Sequence, residues 1–182
     1  DYAVSSDKND FLDIWLSANC KFFYGTNNGI VHLPAVFNKP ILGTNAFPIG
    51  SIASYLPKSI HLPRIVKKDG KFINIKEQIK LDIIRWVNGD YYKKIKVEIL
   101  ENTSEDILNA VKDMEMKINS GFYADDLNIN FWQNLKKNWT NENNLKYNSV
   151  IKRSFIDYHR IDGIKTTIPN FYLKKYKDVF FD

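Results

Sequence analysis

The chain has 182 residues, of which 44% are hydrophobic and 26% are charged, and these values suit one globular domain with a sizeable core. Its one cysteine excludes a disulfide framework and favours a reducing compartment, and no apolar run approaches the length of a membrane span. The formal net charge is +5, and it is uneven, because residues 61–100 carry ten basic and five acidic side chains.

The first predicted element is a helix that begins at Asn9 or Asp10 and runs to about Asn19. Both residue types cap helices, because their side-chain oxygens accept hydrogen bonds from the first backbone N–H groups. Apolar residues occupy nearly every side of this helix, with Asp13 as its one interior charge. A helix that is apolar all round is a buried one, so we expect it to pack on a sheet.

A short aromatic strand at residues 21–24 and a short helix at 30–37 flank a turn rich in glycine and asparagine. Backbone N–H groups at such a turn point to one spot, which attracts anions and above all phosphates. The turn is interpreted either as a plain connection or as a diphosphate site. The residues of the second interpretation are Gly25, which ends the strand and leaves room for the ligand, the Thr26 hydroxyl, and the backbone N–H groups of Asn27, Asn28 and Gly29.

A second buried strand is predicted at residues 41–44, and we expect it to run parallel to the first one through a right-handed crossover. Open α/β sheets bind ligands beyond the carboxyl ends of their strands. Thr44 and Asn45 are therefore expected to flank the same pocket as the turn. His61 and Arg64, in the following segment, are predicted to neutralise the charge of a bound anion.

Local signals predict the remaining elements. The middle of the chain contains a hairpin at 59–73 around an Asp69-Gly70 turn, a helix from a capping box at Asn74 to Asn88-Gly89, a strand at 95–99, and a helix from Thr103 to Gly121. The last third contains an aromatic helix around 131–139 that is broken at 141–144, a helix at 149–158, and a final helix at 171–181.

Two segments carry a resemblance to a known family. Residues 22–30 have the sequence FFYGTNNGI and residues 37–45 have the sequence FNKPILGTN, with a helix before each. They resemble the donor-binding half of bacterial surface-polysaccharide glycosyltransferases with the GT-B architecture. The resemblance implies an α/β fold, a Rossmann-like three-layer sandwich with a mainly parallel sheet. It makes residues 1–120 a donor-binding subdomain truncated at its N-terminus, and residues 121–182 a helical C-terminal extension.

The resemblance also implies a function, the transfer of a sugar from a nucleotide-sugar donor to a polysaccharide or lipid-linked acceptor. No metal and no cofactor besides the donor is expected, and nucleic acid is not an expected partner. In many enzymes of this class an acidic residue near a helix start binds the ribose or the sugar of the donor. Glu101 has that position, although a solvated loop carboxylate fits it equally well. The catalytic base is expected on a separate N-terminal domain, and the location is expected to be cytoplasmic, including the inner face of the membrane.

Two other interpretations remain open. The chain is a non-catalytic module that binds a nucleotide or a carbohydrate, or it is an interaction domain whose basic segment 61–100 docks on a membrane or on nucleic acid. The lysines of that segment also fit a merely solvated face. Glycosyl transfer is the interpretation that accounts for the turn, the second strand and the resemblance together.

Overall fold

The structure of the protein is a computed structural model that describes residues 2–26, 29–85, 89–146 and 165–181. Within these ranges the strands alternate with helices in the first part of the chain, and helices dominate the last part. The strands are β1 (Phe23–Thr26), β2 (Ile41–Ala46), β3 (Ser59–Pro63), β4 (Ile65–Lys68), β5 (Lys71–Phe72), β6 (Val97–Leu100) and β7 (Thr166–Thr167).

The helices vary greatly in length, and three short 3-10 turns accompany them. The helices are α1 (Asp10–Asn19), α2 (His32–Val36), α3 (Ile75–Lys80), α4 (Gly89–Lys94), α5 (Ser104–Ser120), α6 (Asp126–Lys146), α7 (Asn170–Lys175) and α8 (Lys177–Phe180). The 3-10 turns are Tyr2–Val4, Gly29–Val31 and Ile49–Ser51. Among the residues that the structure describes, no helix combines the length and the apolar composition needed to cross a bilayer.

Four strands form a parallel sheet in the order β1–β2–β3–β7. The predicted parallel pairing of the first two strands is confirmed, and so is the α/β class with a mainly parallel sheet. The first strand begins at Phe23 and not at Lys21, so Gly25 lies within it; the prediction that Gly25 ends the strand is wrong. Gly25 pairs with Gly43, and Gly43 pairs with His61, so these three positions form one row across the sheet.

Both faces of the parallel sheet are covered, because successive residues of a strand point to opposite faces. Ile41 of β2 packs with Val31, Leu56 and α2 on one face. Its neighbour Leu42 joins the main core on the other face, where α5, α6, α7 and α8 also contribute side chains. The helices α2 and α5 therefore lie on opposite faces of the sheet.

Helix α1 begins at the predicted cap, where the Leu12 N–H donates a hydrogen bond to the Asn9 side chain at 3.0 Å. Its predicted burial is wrong, because none of its residues is buried, and Phe11 and Trp15 are 70% and 51% exposed. The helix packs beside α2. Since α2 and the turn before it already cover that face of the sheet, α1 lies outside them with much of its apolar surface facing solvent.

A second, antiparallel sheet has the strand order β5–β4–β6. The hairpin predicted around Asp69-Gly70 is present as β4 and β5, and these turn residues have positive φ values of 51° and 77°, but residues 59–63 belong to the parallel sheet. Only Arg64 separates β3 from β4, so one extended segment passes from the parallel sheet into the antiparallel sheet. Arg64 is therefore fixed at the junction of the two sheets.

The helix predicted from Asn74 begins with its capping box, as expected, but it ends at Lys80 and does not reach Gly89. The chain leaves the helix so that Ile83 and Ile84 enter two different apolar clusters, and both side chains are at most 2% exposed. The chain turns away from the helical path at Asp82, whose φ is 57°, and Ile83 and Ile84 then enter the two clusters from an irregular segment. Tertiary burial has therefore overridden the helical stripe, and Gly89 begins the next helix, α4.

The last third of the chain also differs from its prediction. Helix α6 runs through the break predicted at 141–144, because asparagine lowers helix propensity only modestly. The final helix predicted at 171–181 is divided into α7 and α8. The predicted extension at 121–182 is not wholly helical, because it contains β7, which pairs with β3 and completes the parallel sheet. The end of the predicted stripe at 86–88 and the helix predicted at 149–158 lie outside the described residues.

We expect Gly43→Ala to destabilise the fold by about 1–3 kcal/mol, the usual cost of overpacking a filled core. A Cβ atom at Gly43 would lie 2.4 Å from Nδ1 of the buried His61 ring. Urea unfolding of the wild type and of Gly43→Ala measures this cost. The same substitution in a His61→Ala background should cost clearly less, and an equal cost in both backgrounds would show that the ring is not the obstacle.

Candidate functional site

The strands β1, β2 and β3 are parallel, so their carboxyl ends meet at one edge of the sheet. This edge, which we call the carboxyl edge, carries Thr26 at the end of β1, Asn45 near the end of β2, and Arg64 directly after β3. The Arg64 N–H donates to the Ala46 carbonyl oxygen at 2.9 Å, which fixes the residue beside the end of β2. The structure therefore brings three of the predicted site residues to one edge.

The predicted phosphate-binding turn is described only in part, because Asn27 and Asn28 lie outside the described residues. Gly29 is exposed and opens a 3-10 turn, and the helix α2 that follows has only five residues. A helix of this length has a weak macrodipole, so its N-terminus adds little attraction for an anion. A Cβ atom at Gly29 would contact nothing within 4 Å, so packing does not require glycine there.

Of the residues predicted for the ligand site, Thr44 and His61 are buried in the fold, and Gly25 is partly buried in β1. A Cβ atom at Gly25 would lie 2.9 Å from the Phe23 ring, so this glycine makes room for a core side chain and not for a ligand. Thr44 is 2% exposed, and its hydroxyl donates to the Gly25 carbonyl oxygen at 3.4 Å. The side chains of Thr44 and His61 therefore support the sheet from within.

His61 is fully buried, and neither of its ring nitrogens has a hydrogen-bond partner in the part of the chain that the structure describes. Burial lowers its pKa to about 4, because desolvation penalises the charged imidazolium. The ring is therefore neutral at pH 7, and it does not supply the positive charge that the sequence analysis predicts. It packs instead against the space that Gly43 leaves open.

Asn45 and Asn102 exchange hydrogen bonds between side chain and backbone. The Asn45 N–H donates to Oδ1 of Asn102 at 2.6 Å, and the Asn102 N–H donates to Oδ1 of Asn45 at 2.8 Å. Asn45 has a positive φ of 52°, a conformation that asparagine tolerates better than most residues. Its side chain is therefore occupied in joining the end of β2 to the segment that follows β6.

The Asn102 side chain has two further partners. Its Nδ2 donates to the Pro63 carbonyl oxygen and to the Tyr172 hydroxyl oxygen, both at 3.0 Å. The Tyr172 hydroxyl in turn donates to the Pro63 carbonyl oxygen at 2.6 Å. Burial raises the pKa of Tyr172 well above its usual range, so the hydroxyl keeps its proton and remains a donor. The sequence analysis assigns no role to Asn102 or Tyr172.

Arg64 and Glu101 form an ion pair at the same edge, with 3.1 Å between Nη2 of Arg64 and Oε1 of Glu101. The Glu101 side chain is 75% exposed and the Arg64 side chain 28%. Within the described ranges, the buried Nε of Arg64 has no hydrogen-bond partner. A guanidinium group has five N–H donors, so Arg64 retains capacity for a further acceptor. The structure therefore brings together two residues that the sequence analysis proposes separately.

Asp106 is a second carboxylate near this edge, and it is also engaged. Its side chain accepts hydrogen bonds from the N–H and the hydroxyl of Thr103, and its Oδ1 lies 2.7 Å from Nζ of Lys175. The hydrogen bond to Asp106 raises the pKa of Lys175. Asp106 is 2% exposed, so it fixes α5 to α7 and does not face a ligand.

The described residues contain no group of three or more histidine, cysteine, aspartate or glutamate side chains placed to hold a metal ion. At the carboxyl edge the polar groups include Arg64, Glu101, the Thr26 hydroxyl and backbone groups. Such a set can bind a phosphate and hydroxyl groups.

Comparison with known proteins found no matching family model, no matching curated protein and no matching solved structure.

We expect Asn102→Ala to lower the free energy of unfolding by about 2–4 kcal/mol, since three groups that are at least partly buried each lose a hydrogen bond. The Asn45 N–H, the Pro63 carbonyl and the Tyr172 hydroxyl each lose a hydrogen bond. Urea unfolding measures the loss. Asn119→Ala, at an exposed position of α5, serves as the control and should change stability by less than about 0.5 kcal/mol. Equal effects of the two substitutions would contradict the central position of Asn102.

The lowered pKa of His61 predicts that stability decreases as the pH falls from 6.5 to about 4. In this window the unfolded chain binds a proton at this histidine and the folded chain does not, so acid favours unfolding. The pKa difference corresponds to about 3 kcal/mol. Urea unfolding followed by tryptophan fluorescence between pH 4 and pH 7.5 tests this. His61→Leu should lose this part of the pH dependence, and an unchanged pH profile in that variant would refute the assignment.

Proposed function

We propose that this chain is the donor-binding part of a glycosyltransferase with the GT-B architecture, and that its carboxyl edge binds the diphosphate of a nucleotide-sugar. The observation that carries the proposal is the meeting of Thr26, Asn45 and Arg64 at the end of three adjacent parallel strands. Ligands of open α/β sheets bind at this end of the strands. The resemblance of residues 22–30 and 37–45 to the family concerns the same strands and their connections.

Arg64 is the residue best suited to bind the diphosphate. Its backbone is held by the hydrogen bond to the Ala46 carbonyl, so the start of the side chain has a fixed position. Its side chain is about three-quarters buried, and hydrogen bonds between a guanidinium and a phosphate are strong and often bidentate. Donor binding then exchanges the partner of Arg64, from the Glu101 carboxylate to the phosphate.

Glu101 has a separate role in this proposal. Only its Oε1 is engaged among the described residues, and its side chain is mostly exposed. Once the diphosphate takes over Arg64, the carboxylate can accept hydrogen bonds from the hydroxyl groups of the donor ribose or sugar. The ion pair of the free protein thus holds both groups close to the positions in which they contact the donor.

The proposed acceptor is a polysaccharide or a lipid-linked glycan, and the proposed location is the cytoplasm, including the inner face of the membrane. Transfer requires a general base within hydrogen-bond reach of the acceptor hydroxyl. Near the carboxyl edge Glu101 and Asp106 are both ion-paired. We therefore assign the base to the N-terminal domain that the resemblance implies.

A second candidate function is that of a non-catalytic module that binds a nucleotide or a carbohydrate. The ion pairing of both carboxylates in the free protein favours it, because neither is an unpaired base near the edge. The two candidates differ in one measurement. The enzyme, supplied with its N-terminal domain, releases nucleoside diphosphate from the nucleotide-sugar, whereas the module binds the nucleotide-sugar and leaves it intact.

Calorimetric titration with a panel of nucleoside diphosphates tests the proposed site. We expect one of them to bind, and we expect Arg64→Gln to weaken binding by about 10-fold to 100-fold, since a charge-assisted hydrogen bond contributes about 1.5–3 kcal/mol. Gly29→Val should weaken binding by about tenfold, because the added side chain narrows the approach to the backbone N–H groups of the turn and weakens one charge-assisted hydrogen bond to the phosphate. The fold should survive Gly29→Val, since a Cβ atom there meets open space.

Gly89→Val is the matched control for Gly29→Val. Gly89 also opens a short helix, and a Cβ atom there also contacts nothing within 4 Å, but it lies at the start of α4 and not in the turn that follows β1. This variant should bind the nucleotide as the wild type does. Absence of heat with every nucleoside diphosphate, or equal loss in the two valine variants, would remove the support for a donor site at the carboxyl edge.

A further inference from the structure

A cleft of about 730 Å³ lies at the opposite edge of the parallel sheet, where the strands begin. We call it the lysine cleft, because a lysine precedes each of the four strands by one or two residues. Lys21 precedes β1, Lys39 precedes β2, Lys58 precedes β3, and Lys165 precedes β7, and all four line the cleft. A fifth lysine, Lys117, joins them from the last turn of α5.

The sheet sets the spacing of these lysines. Neighbouring strands lie about 4.8 Å apart, so residues that directly precede four adjacent strands form a row along the edge of the sheet. The strand order β1–β2–β3–β7 makes the order of the row Lys21, Lys39, Lys58 and Lys165. Lys165 comes from the far end of the chain, so only the folded sheet creates the row.

The lysines of the cleft differ in the partners that they have. Lys21 is paired with the exposed Glu115 at 2.8 Å, and Lys117 donates to the Thr167 hydroxyl at 3.0 Å. The carboxylates that face Lys117 are Asp113 and Asp125, which lie beyond it in an adjoining small cavity.

The remaining three lysines, Lys39, Lys58 and Lys165, have no ion-pair or hydrogen-bond partner for their ammonium groups among the described residues. The described lining of the cleft contains no aspartate and no glutamate. The middle of the row therefore carries uncompensated positive charge.

The shape and the cations of the cleft narrow the class of ligand. A concave site does not fit the flat surface of a bilayer. Its described cations are all lysines, which bind phosphate groups as point charges, whereas planar carboxylates are better recognised by arginine. The loop after α5 adds the rings of Phe122 and Tyr123, and Tyr123 is 69% exposed. An exposed ring beside phosphate-binding cations suits the sugar or the base of a nucleotide.

We propose that the lysine cleft is a second anion site, which binds a ligand with two or three linked phosphate groups. Two or three adjacent phosphates can contact neighbouring lysines of the row together. The chemistry is shared by free oligophosphates and by nucleoside diphosphates and triphosphates, and only the latter gain from Tyr123. The site is separate from the carboxyl edge, because the two lie at opposite ends of the same strands.

The backbone of Lys58 allows a clean test. Its φ is 54°, a conformation in which asparagine and glycine are more favourable than lysine. Lys58→Asn therefore removes the charge without straining the chain. Lys96 has the same φ of 54°, is exposed, and lies outside the cleft, between α4 and β6. Lys96→Asn is the matched control, because it makes the same chemical change at the same backbone geometry. The two variants therefore also have the same net charge.

Tripolyphosphate titrated into the protein at low salt is the first measurement. We expect binding that weakens as the salt concentration rises, that weakens about threefold in Lys58→Asn, and that weakens about 30-fold in the triple variant Lys39→Gln/Lys58→Asn/Lys165→Gln. Lys96→Asn should bind as the wild type does. Absence of binding would overturn the proposal. Equal weakening in the two asparagine variants would also overturn it, because binding would then depend on the net charge of the protein and not on the cleft.

Three further arms identify the ligand and separate this site from the proposed donor site. If Tyr123→Ala weakens ADP or UDP but not tripolyphosphate, the ligand is a nucleotide; if it weakens neither, the ligand is a free oligophosphate. Arg64→Gln should leave tripolyphosphate binding unchanged, and an equal loss there would merge the two sites and overturn a second one. A single-stranded oligonucleotide that binds far more tightly than tripolyphosphate would overturn the proposal in favour of a nucleic-acid groove.

Discussion

The reciprocal hydrogen bonds between Asn45 and Asn102 determine how the two sheets of this protein meet. Asn45 lies near the end of β2 in the parallel sheet and Asn102 follows β6, so the pair joins the sheets beside the point where the chain passes from β3 to β4. The Asn102 amide also binds the Pro63 carbonyl, so the end of β3 belongs to the same network. Each member is at least partly buried, where an unsatisfied polar group costs about 1–3 kcal/mol. The positions of Arg64 and Glu101 follow, because each is the neighbour of a residue that this network fixes.

The elements that could be predicted from the sequence are those with local causes. The capping boxes at Asn74 and Thr103 and the Asp69-Gly70 turn depend on residues a few positions apart, and all three are present. The errors concern partners that are distant in the sequence. The apolar α1 was expected on the sheet, but α2 occupies that face, and α3 ends early because separate cores bury Ile83 and Ile84.

The same distinction explains the candidate site. Strand order and direction place Thr26, Asn45 and Arg64 at one edge, and a parallel α/β pattern predicts that edge from the sequence. No local signal shows that Tyr172 contacts Asn102, because 70 residues separate them. Nor does any local signal show that His61 lies over Gly43, since that contact depends on the register between β2 and β3. The position of a polar residue at a strand end therefore predicts its place at the carboxyl edge better than its residue type does.

The two edges of the parallel sheet differ in how their charges are compensated. At the carboxyl edge Arg64 already has an anionic partner, so a phosphate bound there would have to replace Glu101, and the net electrostatic gain would be the difference between two ion pairs. In the lysine cleft, at the edge where the strands begin, Lys39 and Lys58 have no such partner in the described part of the chain, so an anion bound there would gain their attraction directly. In the proposed donor site, discrimination among phosphates would therefore come from geometry and from ligand hydroxyl groups that donate hydrogen bonds to Glu101. The lysine cleft, with flexible point charges, selects for the number of phosphates and much less for their arrangement.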